Sequence, residues 1–213
     1  SRMVRIAPGA AALVAALMMA GCATPPSDPV ARAAFDEAND PIEPFNRSMF
    51  TLNATLDRYM LRPVAATYHD VVPDVLRVSL RDFLRNLRSP LILIHDLAQG
   101  EGGRAATTLQ RFLANSTLGI AGFMDVSGEY FGLPFHDEDA GQTLAVWGVP
   151  EGPYVVLPLL GPSSARDTGG FVVDNVIDPV SLAMQLNGIT YGPIVRAGLT
   201  VLDERARLIG TLD

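Results

Sequence analysis

The three histidines offer the widest range of chemistry in this sequence, and they stand far apart as His69, His95 and His136. None belongs to an H-x-x-x-H pair, and the single cysteine provides no cluster of thiols, so a zinc site has little support. His136 opens the string HDEDAG, in which three carboxylates follow one imidazole. Such a string can chelate a cation weakly, but the residues favour a solvated acidic turn. We therefore predict neither a metal site nor a cofactor.

Two serines are candidate nucleophiles, because Ser163 and Ser164 follow a Gly-Pro pair. The G-x-S-x-G sequence of a nucleophile elbow does not surround them. They fit better at the N-cap of a helix, with Asp167 in its first turn. Arg166 is then free to pair with a carboxylate or to meet a lipid headgroup. The residues require no enzyme, and we predict no catalytic site.

Four arginines form the most suggestive non-catalytic pattern. They recur at i, i+4, i+8 and i+11 of a predicted helix and so form one stripe: Arg77, Arg81, Arg85 and Arg88. Guanidinium groups bind phosphate in a bidentate manner, so the stripe fits phospholipid headgroups or an acidic protein partner. A solvated helix face is the alternative.

Composition narrows the class of protein further. All sixteen basic residues are Arg, and without Lys neither a P-loop lysine nor a Schiff base is available. The 23 acidic residues outnumber the basic ones, which argues against nucleic acid as a partner. The 213 residues suffice for one ordinary domain, and with 48% hydrophobic and 18% charged residues that domain is unusually apolar.

The N-terminus has the pattern of a secretory signal that ends at a cysteine. Arg2 and Arg5 precede an apolar run that closes in Met-Met-Ala-Gly-Cys, with Cys22 as the only cysteine of the chain. Ala-Gly-Cys after an apolar run resembles a bacterial lipobox, whose cysteine is acylated. We predict a signal peptide over 1–21, then an acylated Cys22 and a Pro-rich tether over 22–38.

Helices must position most of the candidate residues, since apolar residues recur mainly at helical spacing. A helix that starts at Pro73 is expected to carry an apolar face opposite the arginine stripe, formed by Val75, Leu76, Leu80, Phe83, Leu84 and Leu87. With a lipid anchor in front, the excess apolar surface of such helices could face acyl chains, and a compact core under an ordinary surface is the alternative. Pro90 is expected to start the next helix. The other predicted helices are Glu43–Met60, Arg104–Leu118, Gly141–Val146, Ser164–Ile177, Pro179–Leu186 and Pro193–Ile209. The strand candidate is Tyr154–Leu160, which Pro158 confines to an edge or an extended lining. We predict an all-α fold of many short helices interrupted by Pro and Gly, in a flat, ring-like arrangement with minor extended structure.

Several ordered sequence blocks resemble one known family. The block NDPIEPFNRSMFTLN (Asn39–Asn53) is similar to the VacJ/MlaA family of outer-membrane lipoproteins. Further similar blocks follow in order: RPVAATY, FLRNLRSP, RFLANSTLGIAGFMD, DAGQTLAVWG and GPYVVLPLLGPSSARD. The sequence departs from the family at His95, where Asn is usual, and at Ala140 and Ala145. It also ends at Asp213, before a D-P-Y-containing helical segment, so we expect a domain over 39–213 that lacks the family's C-terminal tail.

The resemblance implies a helical lipoprotein on the periplasmic side of the outer membrane, held by its lipid anchor beside a trimeric porin. It implies that the protein removes mislocalised phospholipids from the outer leaflet and passes them to a soluble periplasmic carrier, which maintains lipid asymmetry. This role requires neither a cofactor nor a catalytic residue. A periplasmic lipid hydrolase that uses His136 or Ser163, or a purely structural outer-membrane lipoprotein, is the alternative.

The same resemblance suggests where the lipid path lies. A lipid that changes leaflet needs a polar path for its headgroup and an apolar exit for its tails. Candidates for this path or for headgroup contact are Phe45, Asn46, Arg47, the four arginines of the stripe, Tyr154, Val156, Arg166 and Asp167. The rigid apolar stretch Gly152–Gly161 is expected to form a wall beside the path, and a buried connector between helices is the alternative.

Overall fold

A computed structural model describes residues 27–32 and 40–209. The predicted signal peptide, Cys22 and most of the predicted tether lie outside the described residues. Residues 40–209 contain nine α-helices and one two-stranded sheet. The helices are α1 (Glu43–Leu56), α2 (Arg62–Val71), α3 (Asp74–Ala98), α4 (Gly102–Thr117), α5 (Val126–Phe131), α6 (Ala140–Val146), α7 (Ala165–Ile177), α8 (Pro179–Leu186) and α9 (Gly192–Arg207). The predicted all-α fold with minor extended structure is confirmed.

The chain divides into two compact units. The first consists of the described part of Ser1–Leu56 together with Pro150–Thr168. The second consists of Asp57–Val149 and the described part of Gly169–Asp213. Each unit is described separately below.

A helix and a hairpin build the first unit. The strands β1 (Tyr154–Leu157) and β2 (Gly161–Ser164) pair in an antiparallel register that sets Tyr154 opposite Ser164 and Leu157 opposite Gly161. The predicted strand over Tyr154–Leu160 is therefore too long, because Pro158 has no N–H for a ladder and Leu159 adopts a left-handed conformation with φ of 67°. The second strand was not predicted from the sequence.

Helix α3 corrects the predicted break at Pro90, since it continues through this residue to Ala98. A proline inside a helix removes one backbone hydrogen bond and costs about 3 kcal/mol. Buried side chains lie on both sides of it, with Leu84 and Asn86 before and Leu91 and Ile92 after. Packing of this buried face therefore outweighs the local cost of the proline.

The apolar face of α3 is exposed where the helix starts and buried further along. Val75 and Leu76 are 74% and 59% exposed, whereas Leu84 of the same face is buried. Arg77, on the other face, keeps only 14% of its side chain exposed and pairs with Asp74. The hydrophobic spacing identified the helix correctly, but it did not show which face lies inside.

This inversion extends over the described residues as a whole. Their buried side chains include fifteen polar or charged residues and only ten apolar ones. Large apolar side chains are exposed on most helices, for example Leu186, Tyr191 and Val176 at 78%, 76% and 72%. An interior dominated by polar groups with an apolar exterior is the opposite of an ordinary globular domain.

Three further local findings complete the fold. The predicted helix Glu43–Met60 ends as an α-helix at Leu56 and continues as a π-helical turn over Asp57–Leu61. Helices α2 and α5 were not predicted, whereas α4, α6, α7, α8 and α9 agree with their predictions to within about two residues. Among residues 27–32 and 40–209, every helix is too short or too polar to span a membrane.

Candidate functional site

An open groove of ≈ 270 Å³ in the first unit brings together several of the predicted path residues. It is lined by Asp40, Glu43, Asn46, Arg47, Phe50, Tyr154 and Val156. Four of these seven, Asn46, Arg47, Tyr154 and Val156, are sequence-predicted candidates. Phe45 lies on the same helix and is half-buried. The groove thus combines two acidic groups, one guanidinium and aromatic side chains on one surface.

Two asparagines of α1 fix the hairpin by completing the free edge of β1. The Asn46 side chain donates to the Tyr154 carbonyl at 3.0 Å and accepts from the Val156 N–H at 2.7 Å. Asn53 repeats the pattern two turns later, donating to the Leu157 carbonyl and accepting from the Leu159 N–H, both at 2.8 Å. Residues seven apart lie on one face of a helix, so α1 acts as a third pairing element for this strand. Sequence reasoning missed the role of Asn53, which the i, i+7 spacing could have indicated.

Asn46 also contacts the acidic side of the groove. Its Nδ2 donates to Asp40 Oδ1 at 2.6 Å, and only 3% of the residue is exposed. Arg47, the next residue, points the other way: 77% of its side chain is exposed, and it pairs with Glu43 one turn earlier. Asn46 is therefore part of the structural frame, and Arg47 is the groove residue that stays available to a solute.

Val156 is buried rather than set along an open wall, because only 2% of it is exposed. Val155 is 8% exposed, so both sides of β1 are covered at this point. Tyr154, at the start of the strand, is 37% exposed and offers its ring to the groove. For Val156 the alternative of a buried connector is therefore correct, whereas Tyr154 keeps a position that a ligand could reach.

The residues after β2 form the helix start that the sequence predicts. The Ser164 hydroxyl accepts from the Asp167 N–H at 3.0 Å, which is the expected cap of α7. Arg166 pairs with carboxylates, which is one of its two predicted alternatives: its Nε donates to Asp167 Oδ1 at 2.9 Å and its Nη2 lies 3.7 Å from Glu151. Ser163 bonds with the Thr168 hydroxyl at 3.3 Å.

In the second unit each arginine of the stripe has a partner within the chain, although the Arg88 side chain is 41% exposed. Arg81 forms a bidentate pair with Asp203, at 2.7 and 3.1 Å, and this bond raises the pKa of Arg81 above its ordinary value. Arg85 stacks over the Phe135 ring with 4.8 Å to its centroid. Arg88 lies 2.6 Å from Asp137. The stripe, with Arg77 held by Asp74, faces partners within the chain. The stripe is therefore not a face of unpaired, freely solvated guanidinium groups, and a role toward headgroups stays a prediction.

The string HDEDAG is not the solvated turn that its composition favours. His136 Nε2 lies 2.9 Å from Asp96 Oδ1, and Asp96 is fully buried. Glu138 is 2% exposed and pairs with Arg104, while Gln99 donates to its other oxygen at 2.8 Å. Pairing with residues distant in sequence offsets the free-energy cost of burying these charged groups. Local composition does not reveal such partners.

His95 joins three helices in the same polar interior. Its Nδ1 lies 2.9 Å from the Thr143 hydroxyl on α6 and its Nε2 lies 2.8 Å from Asp174 on α7. Burial raises the pKa of Asp174, although the Ala140 N–H and His95 act in the opposite direction. His95 is 2% exposed and Thr143 is 4% exposed. These contacts link α3, α6 and α7.

A second buried pair joins α4 to the start of α5. Arg111 donates to both carboxylate oxygens of Asp125 at 2.8 Å, and Asn115 donates to the same group at 3.0 Å. Burial alone would raise the pKa of Asp125, but the hydrogen bonds from Arg111, Asn115 and the Gly128 N–H lower it. A water-sized cavity of ≈ 10 Å³ adjoins this pair, and its lining includes Asp82 and Asn86. Burial and the charge of Asp125 raise the pKa of Asp82.

His136, Asp96 and Thr108 form a further polar network. His136 uses the same nitrogen for Asp96 and for the Thr108 hydroxyl, which itself donates to Asp96 at 2.6 Å. Within the described ranges, no three His, Cys, Asp or Glu residues are grouped so that they could hold a metal ion.

Comparison with known proteins gives consistent matches. A model of the MlaA lipoprotein family matches residues 38–213. The intermembrane phospholipid transport system lipoprotein MlaA of Escherichia coli K12 is 37% identical over 160 residues, which are 74% of this chain and 61% of that protein. An uncharacterized protein of Rickettsia conorii is 40% identical over 139 residues, 65% of this chain and 55% of that protein.

A solved structure agrees with the sequence matches. It is described as the structural basis for maintenance of bacterial outer membrane lipid asymmetry, and it matches with a TM-score of 0.70 at 34% identity. The match covers 81% of this chain and 85% of the other. The chain itself spans between half and two thirds of the length of the curated relatives above.

Fold and site together define a mostly helical protein with a polar interior and an apolar exterior. The family model covers most of the chain, and the relatives and the solved structure agree with it. The chain belongs to the MlaA lipoprotein family.

Proposed function

We propose that this protein is an outer-membrane lipoprotein that removes mislocalised phospholipids from the outer leaflet and passes them to a soluble periplasmic carrier. In this proposal Cys22 carries the lipid anchor, 22–38 is the tether and the domain begins at 39. A trimeric porin is the proposed neighbour in the membrane. The names of the curated relatives describe intermembrane phospholipid transport, and this supports phospholipid as the transported molecule.

The observation that carries the proposal is the inverted distribution of polar and apolar side chains. Water is a poor solvent for a surface on which Leu186, Tyr191 and Val75 are each more than 70% exposed. Hydrocarbon is a good solvent for such a surface, and the buried carboxylates, histidines and arginines are shielded from it inside. A polar interior within an apolar exterior also meets the need of a moving phospholipid, whose headgroup and tails require different surroundings.

The groove of the first unit is the proposed contact site for the headgroup. Arg47 supplies an exposed guanidinium for the phosphate, and Glu43 and Asp40 supply acceptors for an ammonium group. Phe50 and Tyr154, which are 62% and 37% exposed, supply apolar surface beside these charges. This set of groups suits a zwitterionic headgroup with acyl chains attached.

A reconstituted transfer assay tests the proposal. The full chain in phospholipid vesicles is given a fluorescent phospholipid and a soluble lipid-binding acceptor, and intact lipid on the acceptor is measured by mass spectrometry. We expect Arg47→Gln to slow transfer severalfold. Arg207→Gln is the matched control, since Arg207 is also an exposed partner of a glutamate one turn away but lies outside the groove.

The outcome separates the proposal from its alternatives. Equal transfer by the unaltered protein and by Arg47→Gln would contradict the role of the groove. Absence of transfer from the unaltered protein would favour a structural lipoprotein. Lipid that arrives as fatty acid or lysolipid would favour a hydrolase, which among the described contacts lacks a Ser–His pair at Ser163 or His136.

A further inference from the structure

The side-chain amide of Asn86 on α3 is bonded on one side only. Its Nδ2 donates to the Ser116 hydroxyl at 2.9 Å and reaches the Ala121 carbonyl at 3.5 Å. The residue is 5% exposed, and its Oδ1 is buried without a hydrogen-bond partner among the described residues. Proteins rarely leave a buried acceptor without a donor, because desolvation then costs free energy that no bond returns. The surroundings of this oxygen should therefore contain a group that can donate to it.

The space beside the amide is a small polar cavity. Asn86 lines the cavity of ≈ 10 Å³ described above, which is large enough for one water molecule. The nitrogen side of the amide faces Ser116 and Gly122, since a Cβ at Gly122 would lie 2.5 Å from Asn86 Nδ2. The oxygen lies on the opposite side of Cγ, and the cavity is the space left to it.

Most side-chain donors around the cavity already serve other acceptors. Arg111 and Asn115 donate to Asp125 at 2.8 and 3.0 Å. The Ser89 hydroxyl donates to a backbone carbonyl one turn earlier, at 3.2 Å. Arg85 stacks over an aromatic ring, and as the residue directly before the amide in the helix it does not face the same side. None of these groups is placed to satisfy the unpaired oxygen.

Asp82 is the remaining lining residue that can supply a proton. It is half-buried on α3, four residues before Asn86, and side chains at this spacing are neighbours on a helix surface. A charged carboxylate only accepts hydrogen bonds, and so does an amide oxygen, so ionised Asp82 cannot satisfy Asn86. A protonated carboxyl has one O–H to donate.

The surroundings of Asp82 favour its protonated form. The charged groups around it lie on three helices and the residue before α5: Arg81 and Arg85 on α3, Arg111 on α4, Asp125 before α5 and Glu129 on α5. Burial raises the pKa of Asp82, and the charges of Asp125 and Glu129 raise it further. Arg81 and Arg85 act in the opposite direction without cancelling the rise.

We propose that Asp82 and Asn86 form a pH-dependent link between α3 and the segment that joins α4 to α5. Protonated Asp82 donates its carboxyl proton to Asn86 Oδ1, directly or through the one water that the cavity can hold. The amide is then fixed on both sides while its Nδ2 holds Ser116 and Ala121. When the pH rises, the proton passes to solvent, the two facing oxygens both become acceptors and the link is lost. The inference does not depend on the proposed lipid transport.

Nuclear magnetic resonance of the full chain in detergent micelles tests the link in the unaltered protein. The side-chain NH₂ signals of Asn86 are assigned by their loss in Asn86→Ser, and the carboxyl carbon of Asp82 is assigned by its loss in Asp82→Asn. We expect the Asn86 signals to shift with the same pH midpoint as the Asp82 carboxyl, and to lose this midpoint in Asp82→Asn. Asn86 signals that stay constant while Asp82 titrates would overturn the inference.

Two variants of similar shape separate the hydrogen bond from the removal of a charge. Asp82→Asn and Asp82→Leu both remove the carboxylate, but only asparagine brings a permanent donor. The measurement is hydrogen exchange of the Ala121 and Gly122 amides, compared between variants at one neutral pH. We expect Asp82→Asn to protect both amides severalfold more than Asp82→Leu does. Equal protection in the two variants would show that only the charge matters, and would overturn the inference.

A double-mutant comparison assigns the effect to Asn86. In an Asn86→Ser background the acceptor is gone, so the difference in protection between Asp82→Asn and Asp82→Leu should disappear. A difference that persists in this background would show that the donor at position 82 acts on another group, and would also contradict the proposed link.

Discussion

Asn46 provides a direct test of how α1 holds the hairpin that lines the groove. The perturbation is Asn46→Ala, and the control is Asn53→Ala, in which the same residue type makes the same pair of bonds to the same strand. The two sites differ in burial: Asn46 and Val156 are 3% and 2% exposed, whereas Leu159, beside Asn53, is 73% exposed. Water can therefore replace Asn53 but not Asn46.

The expected magnitudes follow from this difference. A buried N–H or C=O left without a partner costs about 1–3 kcal/mol. Asn46→Ala leaves the Val156 N–H without a partner and also removes the bonds to Tyr154 and Asp40. We therefore expect the free energy of unfolding to fall by about 2–4 kcal/mol. Asn53→Ala exchanges protein bonds for bonds to water, and we expect a loss of about 1 kcal/mol or less.

Urea unfolding followed by circular dichroism gives the two free energies, and hydrogen exchange gives the protection of the Val156 amide. Asn46→Ala should lose that protection, and Asn53→Ala should keep it. Asn46→Asp should be the least stable at neutral pH, because its carboxylate would face Asp40 and the Tyr154 carbonyl. Equal losses for the two alanine variants, or a Val156 amide that stays protected without Asn46, would refute the reasoning.

Two further predictions concern the second unit. Asp203→Asn keeps the shape of a side chain that is 3% exposed but leaves Arg81 without its counter-charge. The free energy of unfolding should therefore fall by about 3 kcal/mol. The control is Glu204→Gln, which breaks an exposed pair and should cost about 0.5 kcal/mol or less. A loss no larger than that of the control would show that the pair is solvated. Asp82 has a raised pKa in the folded state, so its contribution to stability is fully present below its unfolded pKa and is lost as the pH rises through the folded value. Asp82→Asn should therefore stabilise the protein at neutral pH, and its stability should converge with that of the unaltered protein in acid. Asp125→Asn should destabilise the protein at neutral pH, because the carboxyl of Asp125 has a lowered pKa. Unfolding midpoints measured from neutral to acid pH check both variants, and a constant difference between Asp82→Asn and the unaltered protein would contradict the assignment.

Hydrophobic spacing predicted most helices of this protein, but not the direction in which they face. The period of a helix is the same whether its apolar side meets a core or hydrocarbon, so the spacing of Val75 and Leu76 did not show that both lie outside. The predicted helix start at Pro90 was wrong for a different reason. The helix continues past Pro90 because Leu91 and Ile92 are buried, and their burial depends on segments distant in sequence.

The sequence brought together some of the residues that share the groove. The mixture of aromatic, amide and guanidinium groups around Asn46 and Arg47 drew attention to this stretch of α1, and the structure places Tyr154 on the same groove. Their role toward lipid stays a prediction. The partners that bury Glu138 and Asp96 could not be predicted, because Arg104 and His136 reach them across loops that no local pattern describes. His95, noted from the sequence as an isolated histidine and as a departure from the family, lies between Thr143 and Asp174.

The buried charges themselves argue for an apolar environment outside. In water, a buried ion pair contributes little to stability, since the cost of desolvating both groups offsets their attraction. This chain buries Arg111, Glu138 and Asp203 and exposes more than thirty large apolar side chains among its described residues. In water, exchanging the positions of the charged and apolar side chains would stabilise such a protein. That exchange stops being favourable once the surroundings are hydrocarbon, because the charges would then face lipid while the apolar side chains would gain nothing by burial. This distribution of charged and apolar side chains is therefore favoured where acyl chains are the solvent, as the proposed membrane location requires.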